Sequence, residues 1–362
     1  MKSFVEELKD IKAQCSSSAF RQGIESLASV FRAKPVILYG AGTLSTFVMD
    51  RLSKHSVQIE CFCDTFRSGV HQATGLPIIS AEQLKDNYGD ANVIITSELH
   101  GASIFNTLQM IGYPGRIYSF IDLLPFYAIP YVEFEPYIDG YEWAFGYFAD
   151  EISKQVIVDS IRTRLLGTPM TPSQNKQYFE PEICPLTDSE IFVDGGCFIG
   201  DTAEEFIRQT NGKYTHIYGF EPDESNLKKA LANLAKYKNI DVLKGGLWHM
   251  TNTYKFVSGA LGNSKLSKDG DTITNTFSLD EFFKDKVAPT FIKMDIEGAE
   301  ANALKGAANI LKEHKPKLAI CVYHMLNDIY SLPRDILDLN QSYKLTLRHY
   351  SHWYAESVCY AV

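Results

Sequence analysis

Apolar residues first recur with helical spacing. Phe4, Leu8 and Ile11, then Ile24, Leu27, Val30 and Phe31, lie on periodic faces within residues 1–34. The period then shortens, and residues 35–39, 59–64, 76–79 and 92–95 are short apolar runs of strand length. Helical stretches separate them, one carrying Phe47, Val48 and Leu52 and another opened by Ser80. This βαβαβ rhythm predicts a small open parallel sheet, a Rossmann-like domain over 35–124 behind a helical segment at 1–34.

Residues 125–150 break the rhythm. Ten aromatic side chains, from Phe126 to Phe148, crowd this stretch, and Pro125, Pro130 and Pro136 prevent one continuous helix. The aromatics suit a packed linker, a subunit contact in a homo-oligomer, or one wall of a substrate cleft. A helix over about 150–166 and a polar loop at 168–189 complete a connector spanning 125–189. From 190 the alternation resumes, with strand-length runs at 191–194, 217–221, 240–244, 290–295 and 317–323. The runs at 343–348 and 357–362 have no room for a helix between them and must pair antiparallel. The fold class is therefore α/β: a mostly parallel sheet closed by a C-terminal hairpin, preceded by a smaller Rossmann-like domain.

A chain of 362 residues is long enough for two domains. Its net charge of -9 and pI near 5.5 argue against nucleic acid or anionic lipid as a partner, since both are held by clustered Lys and Arg. The seven cysteines are scattered and form no paired CxxC motifs, which suits a reducing compartment. Residues 1–8 lack the apolar core of a secretory signal, and no window reaches the ~18 apolar residues of a membrane span. These features predict a soluble, cytoplasmic protein without membrane insertion.

Three segments carry candidate chemistry. Asp194-Gly195-Gly196-Cys197-Phe198-Ile199-Gly200-Asp201-Thr202 joins a strand to an amphipathic helix, and a Gly-rich turn there lets backbone approach a ligand closely. Glu221, about 20 residues on, ends the next strand where a carboxylate can accept both hydroxyls of a ribose; its bland alternative is capping the helix that Pro222 begins. In the third segment, residues 291–300, a strand delivers Lys293, Asp295, Glu297 and Glu300 to the rim of the same crevice. Glu300 reads as a favourable charge at a helix N-terminus, a role that does not account for Asp295. In the first domain Gly40-Ala41-Gly42-Thr43-Leu44-Ser45, followed by Asp64, has the layout of a dinucleotide fingerprint with Ser45 in place of the third glycine.

The segments DGGCFIGDT, YGFEPD and FIKMDIEGAE, in that order and spacing, resemble the FkbM-type S-adenosylmethionine-dependent methyltransferases. Tyr323-His324 and the closing hairpin fit the same pattern, and the resemblance covers about 180–362. It implies a class I methyltransferase domain over 190–362 that O-methylates a hydroxyl of a sugar, glycan, nucleotide-sugar or polyketide. It further implies that Gly195, Gly196, Gly200 and Asp201 border the methyl donor, with Asp194 at its amino end and Glu221 at its ribose. Phe198 departs from the Asn usual in the family's loop. Asp295 and His324 are candidate bases, Glu297 and Lys293 further catalytic candidates, Lys293 either neutralising Glu297 or steering an acidic glycan, and Asp295 with Glu297 is a candidate Mg²⁺ pair. The first domain resembles small modules that hold a nucleotide or nucleotide-sugar, which would involve Gly40, Gly42 and Asp64. The alternatives are a nucleotide-binding protein without methyl transfer and an NAD-dependent oxidoreductase using the first domain.

Overall fold

The computed structural model describes residues 2–97, 100–257, 265–266 and 272–362. They form two compact units: Lys2–Glu135 with Asp159–Pro169, and Pro136–Val158 with Met170–Val362.

The smaller unit opens with helices Phe4–Ser16 and Ser18–Arg32, the first begun by a capping box between Ser3 and Glu6. Six strands follow: β1 (Val36–Tyr39), β2 (Cys61–Cys63), β3 (Gly69–Val70), β4 (Pro77–Ile79), β5 (Asn92–Ile95) and β6 (Arg116–Ser119). Their order is β3-β4-β2-β1-β5-β6, parallel throughout except where β3 meets β4. Every residue of β1 and β5 is buried, as expected of central parallel strands covered on both faces. Ser80 and Gln83 form a second capping box that starts helix Ala81–Asn87, so the break read at Ser80 is a real helix start.

The aromatic stretch is segmented as its prolines require, into 3-10 turns at Phe120–Tyr127 and Glu135–Tyr137 and helices at Tyr131–Phe134 and Ile138–Tyr147. Within the larger unit, Ile138–Tyr147 packs on helix Asp328–Leu339. Gly140 lies so close to the Tyr330 ring that a Cβ would come within 2.4 Å of it, and the Arg334 guanidinium sits 4.3 Å from the Trp143 centroid. These contacts give this part of the aromatic cluster a packing role.

The larger unit's strands are β7 (Ile191–Gly195), β8 (His216–Glu221), β9 (Ile240–Lys244), β10 (Gly246–Leu247), β11 (Asn252–Val257), β12 (Lys265–Leu266), β13 (Thr272–Phe277), β14 (Phe291–Met294), β15 (Lys317–Cys321), β16 (Leu345–His349) and β17 (Ser357–Ala361). Seven of them form a sheet ordered β16-β17-β15-β14-β7-β8-β9, and β17 runs antiparallel between β15 and β16. The rings of Phe192, Phe206 and Phe291 anchor its core, with centroids 4.5 and 5.0 Å apart. A second sheet, β10-β13-β11-β12, comes from a stretch that the sequence reading passed over. Its strands are rich in Thr and Asn and lack the apolar alternation that announces a half-buried strand. No helix among the described residues is long and apolar enough to cross a membrane.

In the seven-stranded sheet the chain winds outward from β7 through β8 and β9, then resumes at β14 on the other side of β7. Such a switch point opens a crevice at the carboxyl ends of the two central strands. All three motifs of this unit meet there.

Candidate active site

The turn after β7 is held by backbone. Gly196 and Cys197 N–H donate to the Phe220 carbonyl, and Gly200 N–H donates to Cys197. Gly196 has φ 72°, and a Cβ on it would lie 2.0 Å from the Asp295 carbonyl oxygen, so only glycine fits between β7 and β14. Gly200, at φ 86°, is the N-cap of helix Asp201–Gln209, and Asp201 is exposed in the first turn, where the helix's positive end favours a carboxylate. Phe198 is half-exposed at φ 47°, and its N–H donates to Glu221 Oε2 at 2.9 Å.

Glu221 ends β8 with 6% exposure, and its Oε1 accepts from Asp223 N–H at 2.9 Å. Burial pushes its pKa up, against the pull of these amides. A carboxylate offers about four lone-pair sites, so capacity for a hydroxyl remains after both amides and the Asn226 side chain are bound. The helix-capping alternative belongs to Asp223, whose side chain accepts from Asn226 N–H.

Of the two roles expected for Lys293, pairing with Glu297 is not the one found: it pairs with Asp194. Its ammonium is buried and donates to Asp194 Oδ1 at 3.0 Å and to the carbonyls of Gly195 and Gly196 at 3.1 and 2.8 Å. The β7–β14 register sets Lys293 opposite Asp194, which explains the pairing. Burial alone would lower its pKa, but Asp194 and Asp295 hold it above the ordinary value, so the amine stays charged. Lys293 thus pins the glycine loop. Asp194 is itself fully buried, and its Oδ2 has no hydrogen-bond partner.

Past β14 the chain places carboxylates around an imidazole. His324 Nε2 lies 3.3 Å from Asp295 Oδ1 and 3.5 Å from Glu297 Oε2, and Nδ1 lies 3.2 Å from Glu300 Oε1. Burial alone would lower the His324 pKa, but Asp295 and Glu300 override it and push it up to about 11. That corrects the reading of His324 as a base, because an imidazolium has no lone pair to take a proton. Asp295 is also a poor base. Burial would raise its pKa, yet His324 and Lys293 hold it well below the carboxylate range, and it accepts from Tyr178 OH at 2.9 Å and Tyr323 OH at 3.1 Å. Glu297 differs from both. It is half-exposed, sits at φ 57°, and partial burial beside Asp295 and Glu300 raises its pKa despite the nearby imidazole. Asp295 and Glu297, read from sequence as a Mg²⁺ pair, share their space with a nitrogen ligand that hard Mg²⁺ seldom takes.

Several residues of the rim were not found by sequence reasoning. Tyr178 comes from the polar loop before β7 and has no motif around it. Glu356, in the turn between β16 and β17, accepts from Tyr323 and Gln177. Glu300, read as a helix-end charge, accepts from Ile296 N–H and faces His324. Tyr178, Phe198, Glu297 and Glu356 all hold positive φ at this rim, and such backbone strain persists where its surroundings fix it. His349 lies apart from these groups, bonded to Ser357 Oγ at 2.8 Å, with burial pushing its pKa down to about 4.

In the smaller unit, Gly40 has φ 113° against Thr96, and Gly42 caps helix Thr43–Ser53 without a side-chain bond. Asp64 accepts from the N–H groups of Ala41, Phe66 and Arg67. The structure brings these three residues to one turn.

The seven-stranded sheet with its inserted antiparallel strand, and the glycine loop opposite a β8 carboxylate, are the fold of the class I S-adenosylmethionine-dependent methyltransferases. Residues 194–345 match the family model described as Methyltransferase FkbM domain, so this part of the chain is an FkbM-type domain and the protein is a methyltransferase. The solved structure of methyltransferase FkbM from Methylobacillus flagellatus KT shares 22% identity over 99% of this chain and 100% of that one, with a TM-score of 0.64. That likeness shows a common fold along nearly the whole length. Weaker likenesses are to precorrin-6y C5,15-methyltransferase from Geobacter metallireducens GS-15 (12% identity, 50% and 83% of the two chains, TM-score 0.35) and to Aeropyrum pernix fibrillarin (14%, 49% and 69%, TM-score 0.31). No curated protein matches the chain in sequence.

The donor fits the residues present. Asp194 Oδ2 is a buried acceptor without a partner, and the Glu221 carboxylate ends β8 at the same crevice.

Proposed function

We propose that the acceptor is a hydroxyl of a sugar or glycan, free or nucleotide-linked, and that the reaction is O-methylation. The observation that carries this is the rim itself. Asp295, Glu297 and Glu356 line it with carboxylates, and Tyr178, Tyr323 and Gln177 orient Asp295 and Glu356 by hydrogen bonds. Such a rim suits a polyhydroxylated ligand.

S-adenosylmethionine, when bound, supplies a methyl group already activated as a sulfonium. The chain's task is then to hold the acceptor oxygen in line and remove its proton. Positioning of this kind is worth up to ~7–11 kcal/mol, and a general base adds a factor of ~10²–10⁴. Gly195, Gly196 and Gly200 give backbone access, Lys293 fixes their loop, and Glu221 receives ribose hydroxyls. Glu297 takes the proton: the oxygen–methyl bond forms, the sulfur–methyl bond breaks, and the hydroxyl proton goes to the Glu297 carboxylate. Its raised pKa brings it nearer to the pH at which a carboxylate base works best.

Glu297→Gln should leave the Kd for S-adenosylmethionine unchanged while turnover on a panel of UDP-sugars and oligosaccharides falls ~10²–10⁴-fold. Undiminished turnover would remove Glu297 from the chemistry. Wild-type methylation confined to acceptors without a hydroxyl would overturn the sugar reading.

A further inference from the structure

Asp295, Glu297 and Glu300 come from the single stretch 295–300, and all three carboxylates converge on the His324 ring at 3.2–3.5 Å. The stretch is a tight turn between β14 and helix Glu300–Lys305, in which Glu297 and Gly298 follow one another at φ 57° and 90°. Two successive left-handed residues bend the chain around the imidazole, and a Cβ on Gly298 would lie 3.9 Å from the His324 Cβ. Like charges gathered in this way repel one another. Lys293 is taken up by Asp194 and the glycine loop, so the His324 imidazolium is the cation that faces all three carboxylates.

The three are not held equally. Glu300 is buried, faces Nδ1 and is anchored by Ile296 N–H at 2.9 Å. Asp295 faces Nε2 and is oriented by Tyr178 OH and Tyr323 OH. Glu297 also faces Nε2, through Oε2 at 3.5 Å, but its side chain is half-exposed. Two anchored carboxylates thus brace the ring, and the ring can hold the third. We propose that His324 is a positioning residue: braced by Asp295 and Glu300, it keeps Glu297 Oε2 against Nε2 and so leaves Oε1 to meet the acceptor hydroxyl. A half-exposed glutamate otherwise samples several rotamers, and a displacement of ~1 Å at a reacting group can cost ~10²-fold in rate. The inference rests on the reading of Glu297 as the base.

The test is a double-mutant cycle joined to crystallography. Asparagine presents its amide N–H near the place of Nδ1, and glutamine near that of Nε2. His324→Asn loses the contact to Glu297, so kcat on the panel of UDP-sugars and oligosaccharides should fall ~10²-fold with the acceptor KM and the Kd for S-adenosylmethionine unchanged. His324→Gln should recover much of that loss. In a Glu297→Gln background His324→Asn should cost nothing further, because a residue that acts through another has no effect once the other is gone. Equal losses in the two His324 variants, or losses that multiply with that of Glu297→Gln, overturn the positioning role. Glu300→Gln removes the brace on Nδ1 and is carried through the same cycle if the buried His324 variants do not fold; a loss that multiplies there overturns it too. Crystal structures of wild type and His324→Asn with S-adenosylmethionine need no acceptor. Glu297 should lie against His324 in the first and move in the second; a Glu297 turned away in wild type, or unmoved in the variant, overturns the inference. Undiminished turnover in Glu297→Gln removes the base reading alone and leaves the crystallographic result standing.

Discussion

The chain contains two Gly-rich strand-to-helix turns, each followed by a carboxylate at the end of the next strand, and they differ in what they leave unmet. In the smaller unit, Asp64 closes its own turn by accepting from Ala41, Phe66 and Arg67 N–H, and Arg67 bonds the Ala41 carbonyl. In the larger unit, Glu221 accepts from two backbone amides and the Asn226 side chain, Asp194 keeps a buried oxygen without a partner, and a buried lysine holds the loop from the neighbouring strand. The same sequence signal thus yields one turn satisfied by its own backbone and one with unused hydrogen-bonding capacity. Unused capacity in a buried turn marks a ligand site more strongly than the glycines do.

The comparison breaks most sharply at the glycines. Gly196→Ala forces a Cβ into the Asp295 carbonyl at positive φ and should cost about 3 kcal/mol or more, with loss of donor binding. Gly42→Ala meets nothing within 4 Å and should stay within about 1 kcal/mol of wild type. Urea denaturation of both variants checks the pair. Lys293→Met should come next, at about 3–5 kcal/mol, because it strands the buried Asp194 carboxylate.

A smaller effect sharpens the difference in binding. Glu221→Gln should weaken S-adenosylmethionine ~10–100-fold by calorimetry, from losing hydrogen bonds worth about 1.5–3 kcal/mol. Asp64→Asn should leave that affinity unchanged; a parallel loss would mean that both turns serve the donor.

The smallest expected effect is a pH dependence of stability at the opposite end of the large sheet. Burial would raise the pKa of Glu190, but Lys317 and Thr290 hold it below its ordinary 4.5. A depressed folded-state value means that this stabilisation is complete above about pH 4.5 and is lost as pH falls through the lower folded value. Urea midpoints between pH 3 and 7 should fall on the acid side, and Glu190→Gln should flatten that slope. An equal slope in the variant would assign the acid loss elsewhere.

Much of this was legible in the sequence. Strands such as Asn92–Ile95 and Ile240–Lys244 fall where apolar runs stand, and the terminal hairpin follows from two runs too close for a helix. Asp194, Glu221 and Asp295 were legible because strand ends in a switch-point sheet must converge. The role of Lys293 was not, since its partner is set by cross-strand register and not by neighbours in sequence. His324 was read as a base because it stands at a strand end facing the crevice, whereas its protonation depends on carboxylates that only the folded chain assembles. Tyr178 and Glu356 arrive from a loop and a hairpin tip with no local signal.

The position of β17 bears on how the larger unit folds. β15 pairs with β17 on its outer side, and all five residues of β17 are buried between β15 and β16. Until residues 357–361 insert, β15 presents an apolar edge of unpaired amides and carbonyls, and β16 has no sheet partner. Pairing of β17 with β15 joins segments closer in sequence than the β7–β14 pairing does, and only the insertion of β17 closes that edge. A chain in which β17 has not docked is open to edge-to-edge aggregation.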